Sequence, residues 1–226
     1  MSRSRRLRRL VSVAAVLASI AAGVLIGWSL RAGSGALSIE KNGSQAVAVE
    51  LLIARADLAR LQNGANLPAQ HIFGLRQRIQ GSLGVLGWLL TQDNDPAGAD
   101  IVRGWAASEL QNPGRLAGDL DRLIERHPLD LTRYATQGLT VTQRREAVAI
   151  QAQYCAGCHD NAGNGDPDTN LPARDLYAMA RTEPPETFLA RLISGVKGDE
   201  TLLFTNPLTA DQIAAMWQVY RTGAKK

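Results

Sequence analysis

The sequence predicts an all-α protein in three parts: a transmembrane helix, a small helical bundle and a C-terminal helical domain. Three observations predict it. Apolar residues recur three and four positions apart through nearly every segment, clusters of Asn, Gly and Pro interrupt that pattern, and no alternating stretch is long enough for a strand. The chain has 226 residues, 45% hydrophobic and 20% charged with 5% aromatic. That length suits one domain or two small ones, and that composition can form a packed core, unlike a disordered chain.

The first element is apolar. After the basic segment 1–9, with Arg5, Arg6, Arg8 and Arg9, residues 10–30 carry no charge. Twenty-one residues rising ~1.5 Å each reach across roughly 30 Å of hydrocarbon. Trp28 suits the far interface, Arg31 closes the segment, and the basic residues ahead of it stay cytoplasmic, so everything beyond is exported. The competing reading is a cleaved signal peptide, with Ser34-Gly35-Ala36 as the small-residue site. The apolar run exceeds the 7–15 residues typical of a signal peptide, so we read a signal anchor. Residues 31–45 are a linker in this reading.

Charge narrows the function classes. Arg3, Arg5, Arg6, Arg8, Arg9 and Arg31 lie in the first 35 residues, which hold no acid. Removing these six from the 25 Lys and Arg leaves 19 against 21 Asp and Glu, a body of net charge −2. The basic character belongs to the N-terminus, so nucleic acid is excluded as a partner. Two cysteines close together exclude a multi-disulfide scaffold.

Residues 46–128 form the bundle. Four stretches have helical spacing: Val47, Leu51, Ala54, Leu58 and Leu61; Ile72, Leu75, Ile79, Leu83, Leu86 and Leu90; Ile101, Trp105 and Ala106; Leu116, Leu120, Leu123 and Ile124. Asn63-Gly64-Ala65-Asn66 with Pro68, Asn94-Asp95-Pro96, and Asn112-Pro113-Gly114 separate them, and connections this short favour antiparallel neighbours. Gly74, Gly81, Gly84 and Gly87 in the second helix each weaken it by up to about 1 kcal/mol relative to Ala, which calls for a close helix or cofactor contact. No catalytic constellation occurs in this part.

After a linker at 129–139, residues 140–226 hold the chemistry. Thr140 and Gln143 make a capping box for a helix whose Ala147, Ile150 and Tyr154 share a face. That helix runs into Cys155-Ala156-Gly157-Cys158-His159. A thioredoxin-like redox pair needs a strand ahead of the motif. A structural zinc site needs two more ligands at finger-like spacing, whereas His71 and His127 are distant. Covalent haem needs only what is present: two thiols that add to the vinyl groups of one haem c, and an adjacent His to bind the iron. It also needs an exported chain, as the N-terminus independently indicates.

From Thr140 to about Gly223 the sequence resembles the class I cytochromes c. Asn161 to Asp168 forms a Gly- and Asp-rich loop, and Leu171-Pro172 stands where the family often has a proline whose carbonyl orients the proximal histidine, here His159. Thr187 to Ser194, with Phe188, Leu189, Leu192 and Ile193 on one side, stops at Gly195 like the family's middle helix. Thr209 and Gln212 make a capping box for a last helix with Ile213, Met216, Trp217 and Tyr220 on one stripe. The resemblance implies a cytochrome c fold whose last helix packs on a small residue of the first, here Ala147.

The sequence departs from the family at the sixth iron ligand. The family's Met falls a few residues before the Leu-Thr that opens the final helix; here that stretch is Leu202-Leu203-Phe204-Thr205-Asn206-Pro207. Met179 is the candidate ligand, in a short helix that lines the haem pocket in the family. Met216, on the packing stripe, His71, His127, water and an open site are the alternatives. Arg174, Arg181 and Arg191 can pair with haem propionates or face solvent. The implied function is electron transfer without catalysis, by a carrier spanning the inner membrane once through residues 10–30 with its haem domain in the periplasm. Its redox partners are of the class of a quinol-oxidising complex, a terminal oxidase or a dehydrogenase. A haem-bearing relay or docking subunit of a membrane oxidoreductase, and a haem-based sensor with an open iron, are the alternatives.

Overall fold

In a computed structural model, the structure describes residues 39–108, 110–135, 138–160, 171–195 and 206–223, with side chains from 43 onward. The apolar segment 10–30 lies outside the described residues; among those described, no helix is long and apolar enough to cross a membrane. Eight helices make the protein all-α, with no strand among the described residues.

Each bundle helix starts and stops where its local chemistry directs. α1 (Ile39–Gln62) begins seven residues ahead of the start expected near Ala46, taking up part of the expected linker. Asn63 to Pro68 ends it, and α2 (Ala69–Gln92) follows, burying Leu75, Ile79, Leu83, Leu86 and Leu90 as a stripe. α3 (Pro96–Ala107) and α4 (Pro113–Arg126) both have Pro in the first position and a side-chain cap. Asp95 accepts from Gly98 N, and Asn112 accepts from Arg115 N. The cap satisfies an end amide while the proline removes one that has no partner.

The bundle core joins Val47, Leu51, Ala54 and Leu58 of α1 to Ile79, Leu83, Leu86 and Leu90 of α2, to Ala99 and Val102 of α3, and to Leu116, Leu120 and Leu123 of α4. In α3 the inward positions are Gly98, Ala99 and Val102, and Ile101 is turned outward, contrary to the sequence reading. Trp105 explains the phase: its indole N–H donates to Asp119 Oδ2 of α4 at 2.7 Å, fixing which side of α3 faces the bundle. The α2 glycines also depart from expectation. A Cβ on Gly81 or Gly84 would meet nothing, whereas one on Gly87 would meet the Arg103 side chain of α3.

The 129–139 connection contains a 3-10 turn (Thr132–Tyr134) that buries the Tyr134 ring. Beyond it come α5 (Val141–Ile150), which continues into the Cys-x-x-Cys-His segment, then α6 (Leu176–Thr182), α7 (Pro185–Ser194) and α8 (Ala210–Thr222). Both expected capping boxes form, Thr140 with Gln143 and Thr209 with Gln212, and Gly195 ends α7 at φ +68°, a conformation that favours glycine. α8 packs Ala215, Met216, Val219 and Tyr220 against Ala147 and Ile150 of α5.

α7 is more central than a one-sided helix. Phe188, Leu189 and Ala190 are consecutive and all fully buried, each in a different apolar cluster. Ala190 meets Val49, Leu52 and Ile53, so α1 buries a second face against α7.

Candidate functional site

The Cys-x-x-Cys-His segment lies where α5 changes pitch. After Ile150 the helix widens into a π turn (Gln151–Cys155) and then tightens into a final α turn (Ala156–His159). In a straight α-helix Tyr154, four residues after Ile150, would share its face. The i→i+5 bonding of a π turn inserts one residue and moves that position on by one. Tyr154 is therefore 67% exposed, which corrects its placement with Ala147 and Ile150. Cys155 takes the inward position and packs against the cluster that contains Ala147, Ile150, Met179, Met216 and Tyr220. Gln151 closes the segment by donating from Nε2 to Asp160 Oδ1 at 3.2 Å.

Cys155 is half-buried, Cys158 is exposed, and no disulfide joins them. Burial pushes the Cys155 thiol up; the Tyr220 hydroxyl beside it pulls the other way, and Cys158 and Asp160 add to the rise. An activated redox thiol needs the opposite, a lowered pKa. A helix leads into the motif, rather than the strand a thioredoxin-like pair requires. Among the described residues no group of three His, Cys, Asp or Glu side chains is arranged to hold a metal ion.

His159, half-buried, is fixed from behind. Its Nδ1 lies 2.6 Å from the carbonyl oxygen of Arg174. A carbonyl only accepts, so Nδ1 carries the proton and Nε2 presents its lone pair. The orienting carbonyl was expected at Pro172; the structure puts it two residues later. Residues 172–175 run outside any helix until Asp175 caps α6 by accepting from Ala178 N, which leaves Arg174 as the last residue before the cap.

The Arg174 side chain is held as well. It pairs with Glu183, whose other oxygen accepts from Arg191 Nε at 2.9 Å. Arg191 Nη2 donates to Asp57 Oδ1 of α1 at 3.0 Å, and Arg78 of α2 binds both oxygens of Asp57 at 2.5 and 2.6 Å. Asp57 is wholly buried. Burial alone would raise its pKa, but Arg78 and then Arg191 outweigh it by charge and hydrogen bonding, so its carboxyl is held below the usual range. An ionic chain thus runs from α2 through α1, α7 and the end of α6 to the residue whose carbonyl holds His159. Arg181, grouped with Arg174 and Arg191 in the sequence, is exposed and outside this chain.

The other candidate ligands have definite places. Met179 and Met216 are both buried in the cluster against which Cys155 packs. His127 caps the C-terminal end of α4 as expected, but it is no exposed cap. Its Nδ1 is 3.0 Å from Asp93 Oδ2 and its Nε2 3.0 Å from Asp95 Oδ2, so both ring nitrogens are engaged. His71 is half-buried in the first turn of α2. The loop 161–170 and Leu203 lie outside the described residues.

Behind Cys155 the Tyr220 ring meets Tyr177 edge-on at 4.9 Å and Phe188 at 5.7 Å. Sequence reasoning missed Asp57 and Glu183. Asp57 had a signal, an acid one residue before Leu58 inside an apolar stripe; Glu183 had none. The half-buried thiol, the exposed thiol three residues on and a histidine with a free Nε2 form a donor set that fits a covalently attached haem. No protein-family model matches the chain, and no curated protein or solved structure matches it either.

Proposed function

We propose that the protein is a membrane-anchored, single-haem c-type cytochrome that carries electrons between membrane or periplasmic redox partners. The observation that carries this reading is the 2.6 Å bond from His159 Nδ1 to the Arg174 carbonyl, which leaves Nε2 available next to two unpaired thiols. A second-sphere acceptor of this kind sets the tautomer and ring orientation that an iron ligand needs. Haem c, when bound, supplies a one-electron change between ferrous and ferric iron.

In this reading Cys155 and Cys158 anchor the macrocycle through thioether bonds and His159 is the proximal ligand. The Tyr220, Tyr177 and Phe188 rings keep water from the Cys155 side, and Met179 is the thioether we assign as sixth ligand. The helix order supports a class I cytochrome c fold, with α5 running into the motif, two short helices next, and α8 packed on Ala147. Residues 10–30 tether the chain, with its N-terminus cytoplasmic and the haem domain outside.

The test is haem analysis of the full chain produced with export and haem-attachment machinery. The expected result is one haem per chain that acid-acetone fails to extract, and haem that does extract only when Cys155 and Cys158 are both replaced by Ala, because either thioether alone keeps the macrocycle attached. Wild-type protein without covalent haem, or covalent haem in protein made in a cytoplasm lacking that machinery, would overturn the reading. An export-dependent reporter fused after Lys226 should be active, and alkaline carbonate should leave the protein in membranes. Release of a soluble form starting after about Ala36 would refute the tether.

A further inference from the structure

Two anchors fix the carbonyl that holds His159. The planar peptide between Arg174 and Asp175 pivots on the Cα atoms of those two residues, so its C=O points where both are held. Asp175 is fixed locally: it caps α6 by accepting from Ala178 N at 2.9 Å, with its own backbone at φ −58°, ψ 120°. Residues 172–174 belong to no helix, and the Arg174 end of the peptide is tied through its side chain to Glu183.

Glu183 stands at the opposite end of α6, as its C-terminal cap residue. Its second oxygen accepts from Arg191 Nε at 2.9 Å; Arg191 donates onward to Asp57 at 3.0 Å, and Arg78 holds both oxygens of Asp57. Burial works against the charge on Arg191, but Asp57 and then Glu183 outweigh it and raise its pKa above the ordinary value. Charged hydrogen bonds away from water are strong and geometrically definite. Every link is of this kind, and the chain ends on a carboxylate buried between α1 and α2.

Resting on the haem reading above for what His159 ligates, we propose that Arg174, Glu183, Arg191 and Asp57 are positioning residues for His159, so that the helical bundle sets the tautomer and orientation of the proximal ligand. The hydrogen-bond partner of a ligating imidazole fixes its ring and raises its basicity. Here that partner is held from α1, and a change in the bundle reaches the ligand through bonds of defined length.

The experiment reads the His159 tautomer in the haem-free, full-length chain purified in detergent. The chain has three histidines, so isotope-labelled histidine gives a spectrum that His159→Gln suffices to assign. At a pH where a free imidazole is neutral, wild-type His159 should be protonated mainly at Nδ1. Arg174→Met leaves the carbonyl in place and cuts its side-chain anchor. The ratio of Nδ1–H to Nε2–H should then fall roughly threefold to tenfold, the range that a weakened hydrogen bond covers. Arg174→Lys keeps a charged bond to Glu183 and should stay within about twofold of wild type. Asp57→Asn should lower the ratio too, and the double variant with Arg174→Met should go no further than Arg174→Met alone, because both cut one chain. Leu120→Ala truncates the bundle core outside the chain; it should lower the urea midpoint and leave the ratio unchanged. A wild-type ring protonated mainly at Nε2, a ratio that Arg174→Met leaves unchanged or Leu120→Ala lowers equally, or additive losses in the double variant overturn the proposal. If Asp57→Asn fails to fold, Arg174→Met, at a partly exposed side chain, decides the matter alone. Failure of the haem reading shows separately, as an exported chain without covalent haem, and leaves the tautomer measurement intact.

Discussion

Replacing Asp57 by Asn tests the ionic junction between α1, α2 and α7. The carboxylate is fully buried, holds Arg78 through two hydrogen bonds and Arg191 through a third, and has no access to water. Asn keeps the volume but removes the charge, leaving two guanidiniums without their anion. Arg191 is only 12% exposed and Arg78 29%, so solvent compensates poorly. Breaking a buried pair by removing one partner costs about 3–5 kcal/mol, a large part of the ~5–15 kcal/mol typical of a native protein. For a chain of this size that lowers Tm by roughly 6–20 °C. Urea unfolding followed by circular dichroism reads it. Asp121→Asn is the contrast: the Arg55–Asp121 pair is 30% and 51% exposed and contributes at most about 1 kcal/mol. The pH dependence has a defined sign. Because the Asp57 pKa is held below its unfolded value, its contribution is present above the unfolded carboxyl pKa and lost as pH falls through the folded one. Asp57→Asn should flatten the acid limb of stability against pH. A loss below about 1 kcal/mol, or an unchanged acid limb, would refute the account of this junction.

Three further outcomes follow from particular residues. The pitch change after Ile150 predicts that Ile150→Ala lowers stability by about 2–4 kcal/mol, whereas Tyr154→Ala changes it by less than about 0.5 kcal/mol, both read by urea unfolding; equal losses would mean the helix runs straight. Gly81→Ala, at an exposed helical position where a Cβ meets nothing, should raise stability by up to about 1 kcal/mol in the same assay. Met179→Leu conserves volume in a buried site, with a packing loss under about 1.5 kcal/mol; in haem-loaded protein it should abolish the weak far-red sulfur-to-iron band of the ferric form, and a band that survives it assigns the ligand elsewhere.

What was legible in the sequence is what is decided within a few residues. The capping boxes at Thr140 and Thr209, the Asp95-Pro96 and Asn112-Pro113 starts and the stop at Gly195 are bonds or dihedral preferences reaching no more than four positions, so composition and spacing suffice to place them. The Cys-x-x-Cys-His motif is equally local. The stripes of α1, α2 and α4 were readable because each helix offers the bundle one dominant apolar side. Tertiary packing decided the rest. The π turn exchanges Tyr154 for Cys155 at the cluster shared with α8, and no nearby residue announces it. Whether Pro172 or Arg174 holds His159 depends on where α6 is capped and where Glu183 pins Arg174. His127 meets Asp93 and Asp95 only because α4 folds back on the turn before α3, and Arg191 reaches Asp57 across 134 positions of chain. Such contacts join groups whose separation in sequence carries no periodicity. Only the packing of helices against one another brings them within hydrogen-bonding reach.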